Sequence, residues 1–283
     1  MRESLSMRFC GPQKALKVLR VIIQTSTQAR KPFVAIFNEL NYHPALNPTI
    51  QKREREYVAG ERRKRGFLLS FEGIEGCGKT TQLRRLAHRL RSLGYLVIET
   101  REPGGSPISE QIRAVLLDTG NRGIDARCEL LLYLASRAQH LTDVIRPSME
   151  KGALVLCDRY ADATLAYQGF GRRLGGPVIR QLNCFASGGL VPNLTILLDI
   201  PVSIGLERKR RAGGMDRLDL EGAVFHRTVR KGYLRIAQQE PRRVQVIDGT
   251  APVDQVTETV QRIVEGRLRT SKNHLTRVER HAV

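Results

Sequence analysis

The sequence lacks the features of a membrane protein and of a disulfide-stabilised domain. Its longest apolar runs, such as Ala153–Cys157 and Ile196–Leu198, fall well short of the roughly 20 residues that a membrane-spanning helix needs. The five cysteines are odd in number and contain no CxxC pair, which suits reduced thiols better than a disulfide scaffold. The ordered basic, apolar and cleavage regions of a secretory signal are also missing. We therefore expect a cytoplasmic protein without a membrane segment.

Aromatic residues are few, at 5% of the chain, whereas the formal net charge is +19. Residues 1–65 hold 14 Lys and Arg against 5 Asp and Glu, a net of +9, and their densest basic run is Arg62–Arg65. Such an excess is typical of nucleic-acid-binding proteins, but also of enzymes whose substrates are polyanions. Because no segment interleaves aromatic with basic residues as RNA-binding modules do, a nucleic-acid-binding ATPase is the weaker alternative.

Residues 1–65 show no sustained helical or strand periodicity, and we interpret them as a basic, disordered N-terminal extension. Two alternatives stay open for this segment. Its arginine-rich, acid-poor character resembles an organelle transit peptide, and a start codon assigned too far upstream would also add such residues.

From Gly66 onward, short apolar runs alternate with longer helical patterns. The predicted strands are Phe67–Glu72, Tyr95–Thr100, Ala153–Asp158, Leu194–Asp199 and Arg243–Ile247. The predicted helices are Lys79–Leu93, Ile108–Leu117, Ala126–Glu150, Pro177–Phe185, Val202–Arg210, Glu221–Gln239 and Val253–Arg267. Strands separated by helices indicate parallel neighbours joined by crossovers. This predicts a three-layer α/β domain over residues 66–268, with a five-stranded parallel sheet, helices on both faces and a polar basic tail over 269–283 that frays past Gly266.

A glycine-rich loop follows the first predicted strand. The run Gly73–Thr80 matches GxxxxGK[ST] at every fixed position and precedes an amphipathic helix. Glycines let the backbone N–H groups cradle phosphate oxygens at the helix N-terminus. Lys79 can reach the β- and γ-phosphates, and the Thr80 hydroxyl can bind Mg²⁺. The loop predicts binding of a nucleoside triphosphate in a P-loop NTPase fold, through residues Gly73, Ile74, Glu75, Gly76, Cys77, Gly78, Lys79, Thr80 and Thr81.

Asp158 ends the third predicted strand and is followed by Arg159 and Tyr160. An acid at the carboxyl edge of a parallel strand faces the crevice where ligands bind, so we expect Asp158 and Thr80 to hold Mg²⁺. An acidic helix cap is the alternative for Asp158. Arg159 could hold the phosphate of an acceptor.

A second basic cluster covers residues 207–217, which we call the lid segment, and a glycine pair interrupts it at Gly213 and Gly214. Such a run is ordinarily a solvated helix face or an RNA-binding patch. After a P-loop, however, arginines on a hinged segment are suited to neutralise a transferring phosphoryl group and to exclude water. The cluster therefore predicts a short, arginine-rich lid.

Several further motifs make the chain from Gly66 to about Leu268 similar to bacterial thymidylate kinases. These are Phe71–Gly76, Thr100–Gly105, Asp158–Tyr160, Ala166–Gly169 with Gly171 and Arg172, and Asp216–Arg217. The resemblance implies transfer of the γ-phosphate of ATP to dTMP with Mg²⁺, in a protein that forms a homodimer. A kinase for another nucleoside monophosphate is the first alternative to this activity.

The resemblance also implies individual roles. Tyr133 would stack on thymine, and Arg137, one helical turn later, would contact thymine O4, because residues at i and i+4 share a face. Tyr167 would crowd the sugar 2′ position, and Glu72 would lie near the sugar 3′-hydroxyl or the metal. The full implied acceptor set is Glu72, Arg101, Pro103, Tyr133, Arg137, Arg159, Thr164, Tyr167 and Gln168.

In this family the catalytic arginine lies either in the P-loop or in the lid. The loop of this chain has none, so the resemblance implies a lid arginine, with Arg208, Arg210 and Arg211 as candidates beside Lys79 and Arg159. Many relatives are expected to have a further arginine near position 212, where this chain has Ala212. The choice among the three candidates stays open.

Overall fold

The computed structural model describes residues 66–271 and 275–277, and the predicted extension over residues 1–65 lies outside them. Within these residues, a single parallel sheet confirms the predicted architecture. Its strands are β1 (Phe67–Glu72), β2 (Val97–Arg101), β3 (Leu154–Asp158), β4 (Leu194–Asp199) and β5 (Val244–Asp248), in the spatial order β2-β3-β1-β4-β5. Every pairing between these five strands is parallel.

Helices connect the strands and cover the sheet. They are α1 (Lys79–Ser92), α2 (Pro107–Leu117), α3 (Ala126–His140), α4 (Arg146–Glu150), α5 (Ala161–Thr164), α6 (Gly176–Ala186), α7 (Val202–Ala212), α8 (Ala223–Gln239) and α9 (Val253–Thr270). Two π-helical turns, Leu141–Ile145 and Leu165–Gly171, follow α3 and α5 respectively.

Alternate residues of the strands supply cores on both faces of the sheet. In β1, Leu69 and Phe71 belong to the larger apolar cluster, whereas Leu68 packs with Val155 and Ile145 in a smaller one. Successive side chains of a strand point to opposite faces, so this division is what a sheet covered by helices on both sides requires. It explains why β1 has no exposed position.

The element boundaries differ from the prediction where apolar patterning is ambiguous. The predicted helix 126–150 contains the π-helical turn at Leu141–Ile145, and the helical segment 161–171 was not predicted. That segment contains Gly169 and Gly171, which sequence patterning assigns to a loop. Gly171 is needed there because a Cβ at this position would lie 2.7 Å from the Phe225 ring.

The chain after Gly266 is more ordered than predicted. Helix α9 continues to Thr270 because Leu268 packs into the core cluster, with 9% of its surface exposed. Further on, the amide of Thr276 donates to Gly152 O at 2.9 Å, and Arg277 forms an antiparallel bridge with Tyr95. The prediction of fraying past Gly266 was therefore wrong for these residues. No helix within the described ranges is long and apolar enough to cross a membrane.

Candidate active site

A cavity of about 860 Å³ opens at the carboxyl ends of the sheet strands. The glycine-rich loop and the start of α1 form one wall, the ends of β2 and β3 form the floor, and α3, α5 and the lid segment close the far side. The predicted residues that line it are Glu75, Gly76, Gly78, Lys79, Thr80, Thr81, Arg101, Pro103, Tyr133, Arg137, Asp158, Arg159, Thr164, Tyr167, Gln168 and Arg208.

The glycine-rich loop connects β1 to α1 in conformations that side chains resist. Gly73, Gly76 and Gly78 have φ values of 138°, 69° and 95°, which glycine adopts without steric cost. A Cβ on Gly76 would also lie 2.1 Å from Gly205 O. This position therefore requires glycine both for its backbone conformation and for lack of space. The Lys79 ammonium donates to Ile74 O at 3.0 Å and Gly73 O at 3.3 Å. Loop carbonyls therefore hold the lysine against the loop.

Thr80 and Asp158 meet at the floor of the cavity. The Thr80 hydroxyl, on the first turn of α1, donates to Asp158 Oδ2 at 2.5 Å, at the end of β3. The described residues contain no cluster of three or more His, Cys, Asp or Glu that could hold a metal. Mg²⁺, however, is commonly held by one or two protein oxygens together with substrate phosphates and water. A hydroxyl beside a carboxylate at the phosphate loop fits that ion.

Arg159 follows β3 with a left-handed φ of 71°, and its guanidinium points to the glycine-rich loop. It donates to Gly73 O at 2.9 Å, to Tyr233 Oη at 3.1 Å, and forms an ion pair with Glu75. Burial opposes the ionisation of Glu75, but Arg159 and Lys79, with a hydrogen bond from Tyr167, outweigh it and hold the Glu75 pKa at about 2. Glu75 is therefore a permanent anion between the loop and Arg159.

Glu72, predicted to lie near the sugar or the metal, does not line the cavity. It is fully buried, and its carboxyl accepts hydrogen bonds from Tyr160 N at 2.7 Å and Tyr233 Oη at 2.8 Å. Burial, reinforced by the nearby Asp162, raises the Glu72 pKa to about 8. Glu75, three residues later, lines the cavity instead, because the chain turns into the loop after β1.

Arg137 lines the cavity and is buried, with 1% of its surface exposed. Its Nε donates to Glu102 Oε2 at 2.7 Å, its Nη2 to Thr164 Oγ1 at 2.9 Å, and its Nη1 to Asn183 Oδ1. These partners fix the plane of the guanidinium and leave one N–H on each terminal nitrogen. A guanidinium in this setting can donate to an acceptor on a flat ligand.

Tyr133 lies one turn before Arg137, and both line the cavity, as their spacing predicts. Its ring packs against the core cluster, and burial, followed by the charge of Glu129, raises the pKa of the hydroxyl. Gln168 and Arg172 donate to the same Glu129 carboxylate, at 2.7 Å and 3.0 Å. The Tyr133 ring and the Arg137 guanidinium therefore line the same cavity.

Arg101, at the end of β2, forms paired hydrogen bonds of 3.0 Å with Glu110. The neighbouring Arg113 also lines the cavity and donates to Pro103 O at 2.7 Å. The sequence analysis did not identify Arg113. Its position on the helix that follows the Thr100–Gly105 motif is the signal that could have indicated it. The peptide between Glu102 and Pro103 is cis.

The lid segment begins in α7, which ends at Ala212 because Gly213 follows with φ of 73°. Of its basic residues, Arg208 and Lys209 line the cavity, as does Ala212. The predicted Arg210 and Arg211 do not: they form ion pairs with Glu207 at 2.6 and 2.7 Å on the outside of the helix. The structure thus brings only one of the three candidate lid arginines to the site, and adds Lys209, which sequence reasoning missed.

The comparisons with known proteins agree with this geometry. The family model described as thymidylate kinase matches residues 71–260. A thymidylate kinase of Syntrophotalea carbinolica is 52% identical over 196 residues, covering 67% of this chain and 91% of that relative. One of Geobacter sulfurreducens is 49% identical over 209 residues, covering 72% and 98%. A crystal structure of the Ehrlichia chaffeensis thymidylate kinase is 31% identical with a TM-score of 0.58, covering 71% of this chain and 98% of that one. The chain belongs to the thymidylate kinase family.

Proposed function

We propose that the protein is a nucleoside monophosphate kinase that transfers the γ-phosphoryl group of ATP to dTMP, yielding ADP and dTDP. One observation carries the choice of acceptor: a single cavity joins the glycine-rich loop to the buried Arg137 and the Tyr133 ring. The remaining Arg137 donors suit thymine O4, whereas cytosine presents an amino donor at that place. Tyr133 supplies a stacking surface for the pyrimidine.

The protein takes no covalent part in the proposed reaction. The dTMP phosphate is already an anionic nucleophile, so no catalytic base is proposed. The chain must instead hold donor and acceptor in line and neutralise the charge that shifts during transfer. Lys79 and Arg159, which both donate to Gly73 O, supply positive charge beside the glycine-rich loop. Thr80 and Asp158 would hold Mg²⁺, which supplies further charge neutralisation at the triphosphate.

The acceptor's sugar and phosphate are assigned from the same cavity. We propose that the ring of Tyr167, whose hydroxyl donates to Glu75 at 2.9 Å, crowds the sugar 2′ position and favours the deoxy sugar. Glu75 is the carboxylate placed to accept a hydrogen bond from the 3′-hydroxyl, in place of the buried Glu72. We propose that Arg101 and Arg159, which both line the cavity, bind the acceptor phosphate.

The experiment that tests this proposal is a coupled ADP-release assay with ATP and Mg²⁺, comparing dTMP, dUMP, CMP, AMP and GMP. Strong turnover with dTMP, abolished in Lys79→Ala, is the expected result, because one preorganised charge contributes about 3–4 kcal/mol to lowering a barrier. Preference for another acceptor would keep the kinase and overturn the assignment of Arg137 and Tyr133. Absence of turnover with all five would overturn the kinase itself.

We further propose that the protein is a cytoplasmic homodimer. The described cysteines are free thiols, which suits a reducing compartment. Helix α3 exposes a stripe of small and apolar side chains at spacings of three and four residues: Cys128, Leu131, Ala135 and Ala138. Leu131 is 59% exposed, and such a stripe is self-complementary across a twofold axis.

Sedimentation analysis of Leu131→Glu tests the homodimer. A charge at the centre of the stripe should convert dimer to monomer, because an unpaired buried charge is costly at an interface. The matched control is Val224→Glu on α8, where the replaced side chain is 66% exposed and lies off the stripe. Dimer retained in Leu131→Glu, or a monomeric wild-type chain, would contradict the proposal.

A further inference from the structure

The lid segment contains four consecutive basic residues, Arg208–Arg211, of which two face the cavity. We propose that Lys209, rather than an arginine, is the lid cation that contacts the transferring phosphoryl group. This inference rests on the proposed kinase activity and specifies which group of the lid carries part of it. It assigns a catalytic role to a residue that the sequence motifs do not single out.

Arg210 and Arg211 form ion pairs outside the cavity. Both guanidinium groups bind the two oxygens of Glu207, and their side chains are 66% and 78% exposed. The hydrogen bond and the charge of Arg211, with that of Arg210, lower the Glu207 pKa, so the carboxylate stays charged around neutral pH. In a helix, residues at i, i+3 and i+4 share one face. The face that holds Glu207, Arg210 and Arg211 is therefore turned away from the face that holds Arg208 and Ala212.

Arg208 lines the cavity and contacts the turn after β5. Its Nη1 donates to Gly249 O at 3.3 Å, in the turn that follows β5. Gly249 packs close to that loop, since a Cβ there would lie 3.3 Å from Cys77 O. Arg208 therefore contacts the turn that packs against the glycine-rich loop.

Lys209 also lines the cavity, but it has different partners from Arg208. Its ammonium lies 3.2 Å from Asp219 Oδ2 and 3.2 Å from Gly214 O. These contacts use two of its three N–H donors. The Asp219 carboxylate is fully buried, and its Oδ1 has no hydrogen-bond partner among the described residues. Lys209 therefore lines the cavity while its ammonium holds a buried carboxylate.

A lysine is suited to this position. Its ammonium is a compact charge on a flexible stem, so it can keep Asp219 as a counter-ion and reach a phosphate oxygen. In the transfer, the bond between the γ-phosphorus and the bridging oxygen of ADP breaks, while a dTMP phosphate oxygen bonds to that phosphorus. No proton is consumed, and the role of Lys209 is to balance charge on the equatorial oxygens of the transferring group. Ala212, small and on the same wall, leaves room for this approach.

The test is steady-state kinetics of full-length variants with ATP, Mg²⁺ and dTMP. Lys209→Gln should lower kcat by about 10²–10³-fold, the scale of one lost preorganised donor, with the KM for dTMP nearly unchanged. Lys209→Arg should recover most of the loss, because the charge returns. Ala212→Arg introduced into Lys209→Gln should recover part of it, since position 212 lines the same cavity.

Arg210→Gln and Arg211→Gln provide the comparison within the lid, and Lys231→Gln on the exposed face of α8 controls for loss of one positive charge. Lys209→Gln leaves the buried Asp219 without its counter-ion and should unfold at a lower temperature than the control, so kcat is compared at a temperature at which every variant is folded. A kcat of Lys209→Gln equal to that of Lys231→Gln overturns the inference while the kinase stands, as does a larger loss in Arg210→Gln or Arg211→Gln. A wild-type chain without dTMP turnover overturns both together.

Discussion

At the scale of single residues, the buried Arg137 depends on Glu102. Among the described residues, Glu102 is the carboxylate that forms an ion pair with this guanidinium. Its other oxygen lies 3.1 Å from His140 Nδ1. Removing one partner of a buried pair leaves the other charge uncompensated. Glu102→Gln should therefore lower the free energy of unfolding by about 3–5 kcal/mol and raise the KM for dTMP, because the guanidinium loses the contact that fixes its plane.

Denaturant unfolding together with dTMP kinetics measures both effects. The matched control is Glu265→Gln, which removes a surface pair with Arg89 at 3.0 Å and should cost less than about 1 kcal/mol. Equal losses of stability in the two variants would show that the buried pair contributes no more than a surface one.

Glu72 gives a prediction about pH. Its pKa in the folded protein is about 8, raised by burial from the ordinary value of 4.5. A raised pKa means that the folded state binds the proton more tightly, so this contribution to stability is complete below about pH 4.5 and disappears as pH rises toward 8. The wild type should therefore lose stability relative to Glu72→Gln by up to about 1.4 kcal/mol per pH unit between those values. Unfolding by urea at several pH values measures the difference, and a constant difference would contradict a neutral buried acid.

At the scale of elements, the glycine-rich loop and the amphipathic helices could be predicted from the sequence because each follows from local pattern. The orientation of individual side chains could not. Sequence alone does not give the rotation of α7 about its axis, so Arg210 and Arg211 were indistinguishable from Arg208 until packing fixed which face meets the cavity. The helical segment 161–171 was not predicted because its glycines indicate a loop, whereas packing against α8 makes it helical.

The contact between this segment and α8 depends on Gly232. A Cβ at Gly232 would lie 2.8–3.0 Å from Phe170, in a tightly packed region that carries Tyr167 and Gln168 into the site. Gly232→Ala should lower stability by about 1–3 kcal/mol through overpacking and should raise the KM for dTMP. Gly266→Ala in α9 is the matched control, because a Cβ there meets nothing within 4 Å and alanine should stabilise the helix by about 0.5–1 kcal/mol. Thermal unfolding of both variants measures the contrast, and equal shifts would contradict the packing argument.

At the scale of the whole molecule, the parallel sheet was predictable because strands and helices alternate, but the neighbours of each strand were not fixed by that alternation. The degree of burial carries part of the missing information. The central β1 and β3 are buried along their lengths except for Asp158, whereas the edge strands β2 and β5 alternate with more exposed positions. Central parallel strands need apolar residues toward both faces, so Phe67–Phe71 and Leu154–Cys157 indicate the middle of the sheet.

We propose that the kinase region, residues 66–268, is active without the N-terminal extension, residues 1–65. The Geobacter sulfurreducens relative is matched over 98% of its length by 72% of this chain, and every residue assigned to the site lies at Glu72 or beyond. Removal of residues 1–63 should therefore leave kcat with dTMP within about twofold, a change of roughly 0.4 kcal/mol in the barrier. The measurement is the same ADP-release assay at low and high salt. A rise in the KM for ATP or dTMP at low salt alone, where charge interactions are least screened, would instead assign the basic extension a part in attracting the nucleotides.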